Sequence, residues 1–441
     1  MLIERAGFLT SLEALLSEAL AGHGRLVFLG GEAGVGKTTL ATALAAAAGG
    51  AGDGGAGDGG AGDGGAGDGG LAVRRGSCDN VTTAEALGPI LDALPELAAA
   101  VDQEAGVRRL RLFQQVRDML SGSPMLLLIE DVHWADEATL DILRFMGRRL
   151  AGVRLLILAT FRSEEVGRDH PLTVVMGDLA TLPGVVRMQL PALTAAGVRQ
   201  LLIEAGSALD ADTVFQRTAG NPFYVTEVVA AGSAQVPATV RDAVLARVSR
   251  LSQAGQEVSG AASVLGRRAG TDLLTAVSGQ PLAAVDECLD RGVLVMDGDA
   301  VGFRHDLARL AVERSLPQAQ RTGFHARALA QLMARGSQEH RWLAHHAAGS
   351  GNRAVVGRHA PLAAARAARL GAHREAAEQL ALALRYHERP DRERATLLEQ
   401  LSYECYLTDQ LTRARDSVLE AVAIHEQRRD TSVRGCLSSA C

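Results

Sequence analysis

The stretch GGEAGVGKTTL, from Gly30 to Leu40, constrains the fold of this chain more than any other segment. Gly31 is followed by four residues and then by Gly36, Lys37 and Thr38, and the stretch lies between an apolar run, RLVFLG, and an alanine-rich helical pattern. Glycines at these positions let successive backbone N–H groups point at phosphate oxygens, and the helix N-terminus adds partial positive charge. A strand, this loop and a helix in that order predict a phosphate-binding loop.

Lys37 is the only lysine in a chain of 441 residues that is rich in arginine. A compact ammonium on a flexible stem fits among phosphate oxygens, whereas a planar guanidinium needs other geometry and more room. We therefore expect Lys37 to contact the β- and γ-phosphates of a nucleotide and the Thr38 hydroxyl to bind Mg²⁺. Gly34 and Thr39 complete the predicted nucleotide-binding set. The alternative interpretation is a glycine-rich turn with a chance lysine.

Two acids end another apolar run, in the segment LLLIEDVHWAD. Glu130 and Asp131 follow four apolar residues, which places their carboxylates at the C-terminal edge of a buried strand, where α/β sheets bind ligands. One acid is expected to hold Mg²⁺ and the other to orient or activate the attacking water. By position Glu130 is the metal ligand and Asp131 the catalytic acid, but the Glu-Asp order leaves the division of roles open. Acids that merely end a strand are the alternative.

A third candidate catalytic residue, Arg162, follows the apolar run LLILAT. At the end of another buried strand it lies near the level of the phosphates and is expected to sense the γ-phosphate. An arginine that is simply solvated at a strand end is the alternative interpretation.

Apolar strand patterns alternate with helical patterns as far as about residue 193. Short apolar strands joined by helices predict a parallel sheet with helices on both faces. Residues 1–193 are therefore expected to form an α/β domain of the P-loop NTPase class. The unit AGDGG occurs four times within residues 49–70, and we expect this insert to be a flexible surface loop, with a calcium-binding coil as the alternative.

Strand patterns nearly vanish after residue 193. Residues 194–235 are expected to be helical, and residues 236–316 to form a compact unit with one hairpin that turns at Asp297-Gly298-Asp299. Residues 317–427 are expected to be entirely helical. Residues 428–441 show no helical periodicity and are expected to be an irregular tail.

An internal similarity occurs within the helical part. EAAEQLALAL (375–384) aligns with RARDSVLEAV (413–422) at an offset of 38 residues, which pairs Leu380 with Val418. Two copies of a small–large pattern at this period resemble tetratricopeptide-type (TPR-like) hairpins stacked as a solenoid. Two ordinary amphipathic helices are the alternative.

The formal net charge is −6, and no block of basic residues stands out. Nothing in the composition therefore attracts the chain to DNA or to an anionic membrane. The N-terminal stretch MLIERAGFLTSLEALLSEAL has charged residues within its apolar pattern, unlike a signal peptide, and no run approaches the roughly 18 apolar residues of a membrane span. We expect a cytoplasmic protein without a membrane partner.

Several motifs occur in a fixed order after the phosphate loop: LLLIEDVHWAD, LATFRSEEV, TAGNPFYVTEVV and VPATVRDAVLARVSRLS. In this order the chain resembles the signal-transduction ATPases with numerous domains (STAND), and within that class the large ATP-binding regulators of the LuxR type. The similarity runs from about residue 2 to about residue 425.

The resemblance implies a nucleotide switch that binds ATP or ADP with Mg²⁺. In this class the ADP form is closed and silent, and an inducer together with ATP opens it for self-association. Residues 194–235 would be a helical lid and residues 236–316 a winged-helix-like domain. Pro222 in GNPF matches a proline that packs near the adenine, and His305 in FRHDLAR matches a winged-helix histidine that contacts the β-phosphate of ADP. An ordinary histidine near a helix start is the alternative for His305.

Two departures from the family pattern matter. The N-terminal GRE of the family stands here as Glu4-Arg5-Ala6, which weakens any adenine contact expected there. Family members usually continue to a helix-turn-helix that binds DNA, but no such pattern is visible in this sequence, so DNA binding is not carried over. We expect a truncated or frame-shifted product, or a regulator that has lost its output domain.

Three functions compete at this point. The first is a slowly hydrolysing ATP switch whose TPR-like helices recognise an inducer or a protein. The second is an ordinary turnover ATPase or phosphotransferase, and the third is an interaction scaffold whose ATPase part is vestigial.

Overall fold

The computed structural model describes residues 2–50, 70–78, 86–97, 109–231 and 239–438. Contacts between Cα atoms divide the chain into two units. The first, called the N-terminal unit, comprises Met1–Asn80, Gly88–Ala135 and Leu140–Arg321, and the second, called the helical unit, comprises Val81–Leu87, Asp136–Thr139 and Thr322–Cys441.

A parallel sheet organises the N-terminal unit. Its strands run in the spatial order β2-β3-β4-β1-β5, and every pairing is parallel. Every residue of β3 and β4 is buried, which explains why these strands are continuous apolar runs without alternation. The predicted parallel sheet is confirmed. The strands are β1 (Arg25–Gly30), β2 (Ala72–Ser77), β3 (Met125–Glu130), β4 (Leu155–Thr160) and β5 (Val185–Gln189).

Helices cover both faces of this sheet. On one face, α1 and α2 pack their apolar stripes against alternate residues of β1, β3 and β4, among them Val27 and Leu128. On the other face, Gly147 at the end of α5 lies against Leu26 of β1 and Leu179 of α6. The helices are α1 (Ala6–Leu20), α2 (Lys37–Gly50), α3 (Gly88–Ala93), α4 (Arg109–Ser121), α5 (Glu137–Gly147) and α6 (Pro171–Leu179). Most of the AGDGG insert lies outside the described residues, although Gly49 and Gly50 belong to α2.

A helical segment follows the sheet, with α7 (Ala195–Glu204), α8 (Ala211–Thr218), α9 (Pro222–Ala231) and α10 (Val240–Val248). Thr194, Asp210 and Thr239 cap three of these helices through side-chain oxygens that accept backbone N–H groups. The segment has an apolar core of its own, which includes Val198, Val214 and Val225 and which also takes in Ile3.

The remainder of the N-terminal unit combines helices with a small antiparallel sheet of order β6-β8-β7. β7 and β8 form the predicted hairpin, in which Asp297 pairs with Ala300 and Gly298 adopts a φ of 66°. The elements are α11 (Gln253–Leu265), β6 (Ala269–Gly270), α12 (Thr271–Ser278), α13 (Leu282–Asp290), β7 (Leu294–Asp297), β8 (Ala300–Phe303) and α14 (Asp306–Ser315).

The described residues from Gln318 to Ser438 are mostly helical, and from α16 onward each helix packs against the next. Leu380 of α18 is buried, but its repeat counterpart Val418 is 40% exposed, so the TPR-like repeat stays a prediction. The helices are α15 (Gln318–Ala334), α16 (His340–Ser350), α17 (Arg353–Arg369), α18 (His373–Tyr386), α19 (Arg392–Leu407) and α20 (Leu411–Ser438). None of the described helices is both long and apolar enough to span a bilayer.

The predicted irregular tail at residues 428–441 is wrong as far as Ser438, because α20 continues through that residue. A helix that is already formed gains one hydrogen bond for each residue added, so it can continue without periodic apolar positions. The stretch contains no proline and a single glycine, Gly435, which costs only about 1 kcal/mol.

Candidate functional site

The loop between β1 and α2 has the backbone conformation that a phosphate-binding loop needs. Gly31, Gly34 and Gly36 have φ angles of 154°, 79° and 102°. At Gly34 a side chain is excluded twice, because its φ is left-handed and an added Cβ would lie 2.6 Å from the Cβ of Phe223. The backbone N–H of Ala33 donates to a carboxylate oxygen of Glu164 at 2.7 Å, so an amide of this loop already binds an anionic group.

The Lys37 ammonium lies inside this loop. Its Nζ donates to the carbonyl oxygens of Gly31 at 2.7 Å and Glu32 at 2.8 Å, and the residue is only 6% exposed. Burial lowers the pKa of Lys37 to about 8, although the Asp131 carboxylate partly opposes this effect. The loop therefore holds a largely dehydrated amine beside the N-terminus of α2, where an anion would satisfy both.

Glu130, the last residue of β3, is 1% exposed and receives three donors. Thr38 Oγ1 donates to its Oε2 at 3.1 Å, Arg267 Nη2 donates to the same oxygen at 2.6 Å, and Arg75 Nε donates to Oε1 at 2.9 Å. Burial alone would raise the pKa of Glu130, but the guanidinium groups of Arg267 and Arg75 outweigh it and lower the pKa. Glu130 is thus a buried carboxylate in contact with the Thr38 hydroxyl, as a shared metal site requires.

Asp131 lies next to Glu130 and has a left-handed φ of 58°. Its backbone N–H donates to Thr160 Oγ1 at 3.1 Å, and its Oδ2 accepts from Arg267 Nη1 at 3.2 Å. Burial raises the pKa of Asp131 against the opposing charges of Arg267 and Arg162. One arginine therefore bridges both acids that the sequence singled out.

Arg162, directly after β4 and Phe161, is buried among acids. Its Nη1 contacts Glu165 at 2.7 Å, its Nη2 lies 3.6 Å from Asp306 Oδ2, and its Nε lies 4.0 Å from Asp131. The guanidinium also stacks over the Trp134 ring at 4.2 Å from the centroid. Arg162 therefore lies close to Asp131, but its guanidinium is already paired with carboxylates.

A cavity of about 370 Å³ opens beside the phosphate loop, within the range of small-molecule sites. Thr39 and Pro222, both predicted from the sequence, line it. His305 also lines it, and its ring lies edge-on to that of Phe223 at 4.4 Å between centroids. Burial, followed by neighbouring arginines, lowers the pKa of His305 to about 4, so its imidazole is neutral at pH 7. Gly34, Gly36, Thr39, Pro222 and His305 therefore line one cavity, whereas Gly31, Lys37 and Thr38 are not among its lining residues.

The GNPF segment is bonded to the phosphate loop. Asn221 Nδ2 donates to the carbonyl oxygen of Ala33 at 2.8 Å, and the backbone N–H of Phe223 donates to the carbonyl oxygen of Gly34 at 3.2 Å. Helix α9 thus begins against the loop, which explains why Pro222 reaches the cavity.

The structure adds residues that the sequence did not single out. Arg5 lines the cavity and donates to the carbonyl oxygens of Val35 and Pro191, although the Glu4-Arg5-Ala6 departure had weakened that position. Asn221 stood within a quoted motif, which was a usable signal. Arg75 and Arg267 had none, because isolated arginines are common in this chain.

Residues 2–158 match the AAA ATPase domain family. No curated protein matches this chain in sequence.

Among solved structures, the chain is similar to a STAND protein with a tetratricopeptide repeat sensor from Pyrococcus horikoshii, with a TM-score of 0.53 and 14% sequence identity. The match covers 95% of this chain but only 64% of that protein, so this chain spans less than two thirds of its length.

Two weaker likenesses have TM-scores below 0.5 and support no argument. The Walker-type ATPase of Pyrococcus abyssi has a TM-score of 0.34 at 11% identity, and covers 70% of this chain and 95% of that one. A chain of the Drosophila ORC bound to DNA has a TM-score of 0.35 at 10% identity, and covers 71% and 87%. The matched family, the parallel sheet and the phosphate loop together identify an AAA ATPase domain at residues 2–158, and the fold of the chain is similar to that of a STAND protein.

Proposed function

We propose that this chain is a nucleotide-dependent switch of the STAND class, which binds ATP and ADP, hydrolyses ATP slowly and is held silent by its winged-helix-like segment. The observation that carries this proposal is the position of Arg267. It comes from residues 236–316, yet it ion-pairs with Glu130 at 2.6 Å and with Asp131 at 3.2 Å.

The residues present fit a nucleotide with Mg²⁺. The loop glycines, Lys37 and the N-terminus of α2 would hold the phosphates, and Thr39, Pro222 and His305 would line the rest of the nucleotide pocket. Thr38 and Glu130 offer two oxygens 3.1 Å apart, of the hard type that Mg²⁺ prefers. When bound, Mg²⁺ would neutralise charge that develops on the phosphates.

Arg267 opposes the filling of that metal site. Its guanidinium donates to the same Glu130 oxygen that the Thr38 hydroxyl contacts, so a metal ion at this oxygen would face a fixed positive charge. ADP lacks the γ-phosphate and needs less countercharge than ATP with Mg²⁺. The arrangement therefore favours the ADP form and resists the ATP form.

The two proposed catalytic residues also have other partners in this structure. Asp131 is the carboxylate proposed to orient or activate the attacking water, but one of its oxygens accepts a hydrogen bond from Arg267. Arg162 is the proposed sensor, but Glu165 and Trp134 hold its guanidinium. Both must exchange partners before they act on a γ-phosphate, which accounts for slow hydrolysis.

The finer role follows from the order of motifs. We propose a cytoplasmic transcriptional regulator of the LuxR type, or a relative of one, that self-associates in the ATP state. The helices from residue 317 onward would recognise an inducer or a protein partner.

The nucleotide found after purification and the steady-state ATPase rate test the proposal. The switch predicts tightly held ADP and a turnover far below the about 10 s⁻¹ that is typical of enzymes. Rapid turnover would instead identify an ordinary ATPase. An empty site that ignores added ATP would identify a scaffold with a vestigial nucleotide site.

We expect His305→Ala to weaken ADP binding about tenfold and to promote self-association, since one hydrogen bond to a charged phosphate is worth about 1.5–3 kcal/mol. ADP affinity by calorimetry and oligomeric state by light scattering measure the two effects. His23→Ala, which replaces an exposed histidine of the same unit, is the control. Unchanged ADP affinity in the His305 variant would refute the assigned role.

An amine-reactive ATP analogue should label Lys37, which carries the only side-chain amine. Its pKa of about 8, against an ordinary value near 10.4, leaves on the order of 100-fold more reactive neutral amine at pH 7. Excess ATP should suppress labelling, since phosphates shield the amine and favour its charged form. Mass spectrometry of the Lys37 peptide measures this, and equal labelling with and without ATP contradicts nucleotide binding at the loop.

A further inference from the structure

Histidine is concentrated in the second half of the chain. Eight of the 12 histidines lie between residues 325 and 425, within the helical unit. Their side chains are not simply spread over its surface, because three of them meet at one place.

That place is the contact between α15 and α16. His325 comes from α15, and His345 and His346 are consecutive residues of α16. One nitrogen from each ring lies within 4.8 Å of the other two. Among the residues that the structure describes, no other group of three or more His, Cys, Asp or Glu side chains meets this condition. We call these three residues the histidine trio.

The spacing of the trio is close to that of metal ligands. The Nδ1 atoms of His325 and His346 are 3.0 Å apart. Neighbouring nitrogens around an ion with bonds of about 2.0–2.1 Å lie roughly 3.0–3.4 Å apart. A hydrogen bond between the two rings also explains this distance, but it does not explain why a third imidazole lies beside them.

The backbone of α16 leaves room for this arrangement. Gly349 follows His345 by one helical turn, and an added Cβ there would lie 2.4–2.6 Å from three atoms of the His325 ring. Glycine in a helix costs about 0.5–1 kcal/mol relative to alanine. Glycine at position 349 therefore leaves the space that the His325 ring occupies beside α16.

The solvent exposure of the trio and the ligand type of its side chains both fit a metal-ion site. His325 and His346 are buried, whereas His345 is half-exposed and gives the trio a side open to solvent. Trp342 lies edge-on to the His345 ring at 5.8 Å between centroids. Three imidazole nitrogens are the ligand type that Zn²⁺, Cu²⁺ and Ni²⁺ favour, whereas Mg²⁺ and Ca²⁺ prefer oxygen.

We propose that His325, His345 and His346 form a binding site for one divalent transition-metal ion, with Zn²⁺ as the representative ion, in the helical unit. This site is separate from the nucleotide pocket, and the proposal does not depend on the proposed switch.

Zinc binding to the full chain tests it. After treatment with EDTA and dialysis, calorimetry with Zn²⁺ should detect one site that His345→Gln weakens about 100-fold or more, since even the outer-shell partners of a metal are worth 10–100-fold. His345 is the partly exposed member of the trio, so its replacement leaves the buried rings in place. His359→Gln is the matched control, because His359 forms only a two-ring pair with His340, with 3.1 Å between their Nδ1 atoms. Equal Zn²⁺ affinity in wild type and His345→Gln would overturn the proposal.

Further measurements test whether the variant is misfolded and whether cysteine thiolates bind the ion instead. Far-ultraviolet circular dichroism should be the same for His345→Gln and wild type without metal, and Zn²⁺ should raise the Tm of wild type alone. Co²⁺ should give visible bands without thiolate charge transfer, and a thiolate band would assign the ion to cysteines instead. An equal Tm increase in both proteins would also reject the trio as the site.

Discussion

Lys37→Ala is expected to weaken ATP binding by about 100-fold or more, because hydrogen bonds to charged groups are worth about 1.5–3 kcal/mol each and Lys37 would contact two phosphates. The ammonium is already placed for this, since the carbonyl oxygens of Gly31 and Glu32 hold it within the loop. ATP and ADP titrations measured by calorimetry give the affinities. Without nucleotide, the Tm of the variant should differ little from that of wild type. Burial of the Lys37 ammonium costs solvation free energy, which only nucleotide binding would offset.

Lys37→Arg is the matched control for charge. Arginine keeps the positive charge but replaces a point charge by a planar fork in a site where the lysine is only 6% exposed. We expect this variant to bind ATP nearly as poorly as Lys37→Ala. Wild-type affinity in either variant would mean that the loop does not bind the phosphates.

Arg267→Ala is expected to raise steady-state ATP turnover about tenfold and to speed ADP release, a change equivalent to about 1.4 kcal/mol. The substitution frees the Glu130 oxygen that faces Thr38 and removes the bridge to Asp131, so that both acids can serve the metal and the water. Glu130 keeps Arg75 as a partner and is not left as an unpaired buried charge. Phosphate release and the dissociation of a fluorescent ADP analogue measure the two effects.

Arg268→Ala is the control for this prediction, because it removes the neighbouring, exposed arginine and leaves the acid pair untouched. A fall in turnover in Arg267→Ala would contradict the inhibitory role. It would show that Arg267 stabilises the transferring phosphate, as arginines do in other ATPases.

The features predictable from the sequence are those set by short stretches. A few neighbouring residues are enough to predict the phosphate loop, the strand before it (β1), the strand that ends at Glu130 (β3) and the hairpin at Gly298. Pro222 and His305 were predicted from the family resemblance instead, and both line one pocket with the loop residues Gly34 and Gly36.

What the sequence could not provide is the pairing of distant charges. Arg267 and Glu130 are 137 positions apart, and neither periodicity nor a turn signal joins them. Their contact depends on how the part of the chain that carries Arg267 folds back on the edge of the sheet. The helical tail was missed for another reason, because its continuation depends on the helix that precedes it and not on its own pattern.

The bonds from Asn221 and Phe223 to the phosphate loop have a thermodynamic consequence. They fasten the start of α9 to the backbone that would hold the phosphates, so a displacement of α9 changes the energy of nucleotide binding. Linkage then requires reciprocity: whatever molecule shifts α9 and weakens ADP binding by some factor must itself bind the ADP form more weakly by the same factor. A compound that drives the proposed switch could therefore be sought by screening for accelerated ADP release, before its own binding site is known.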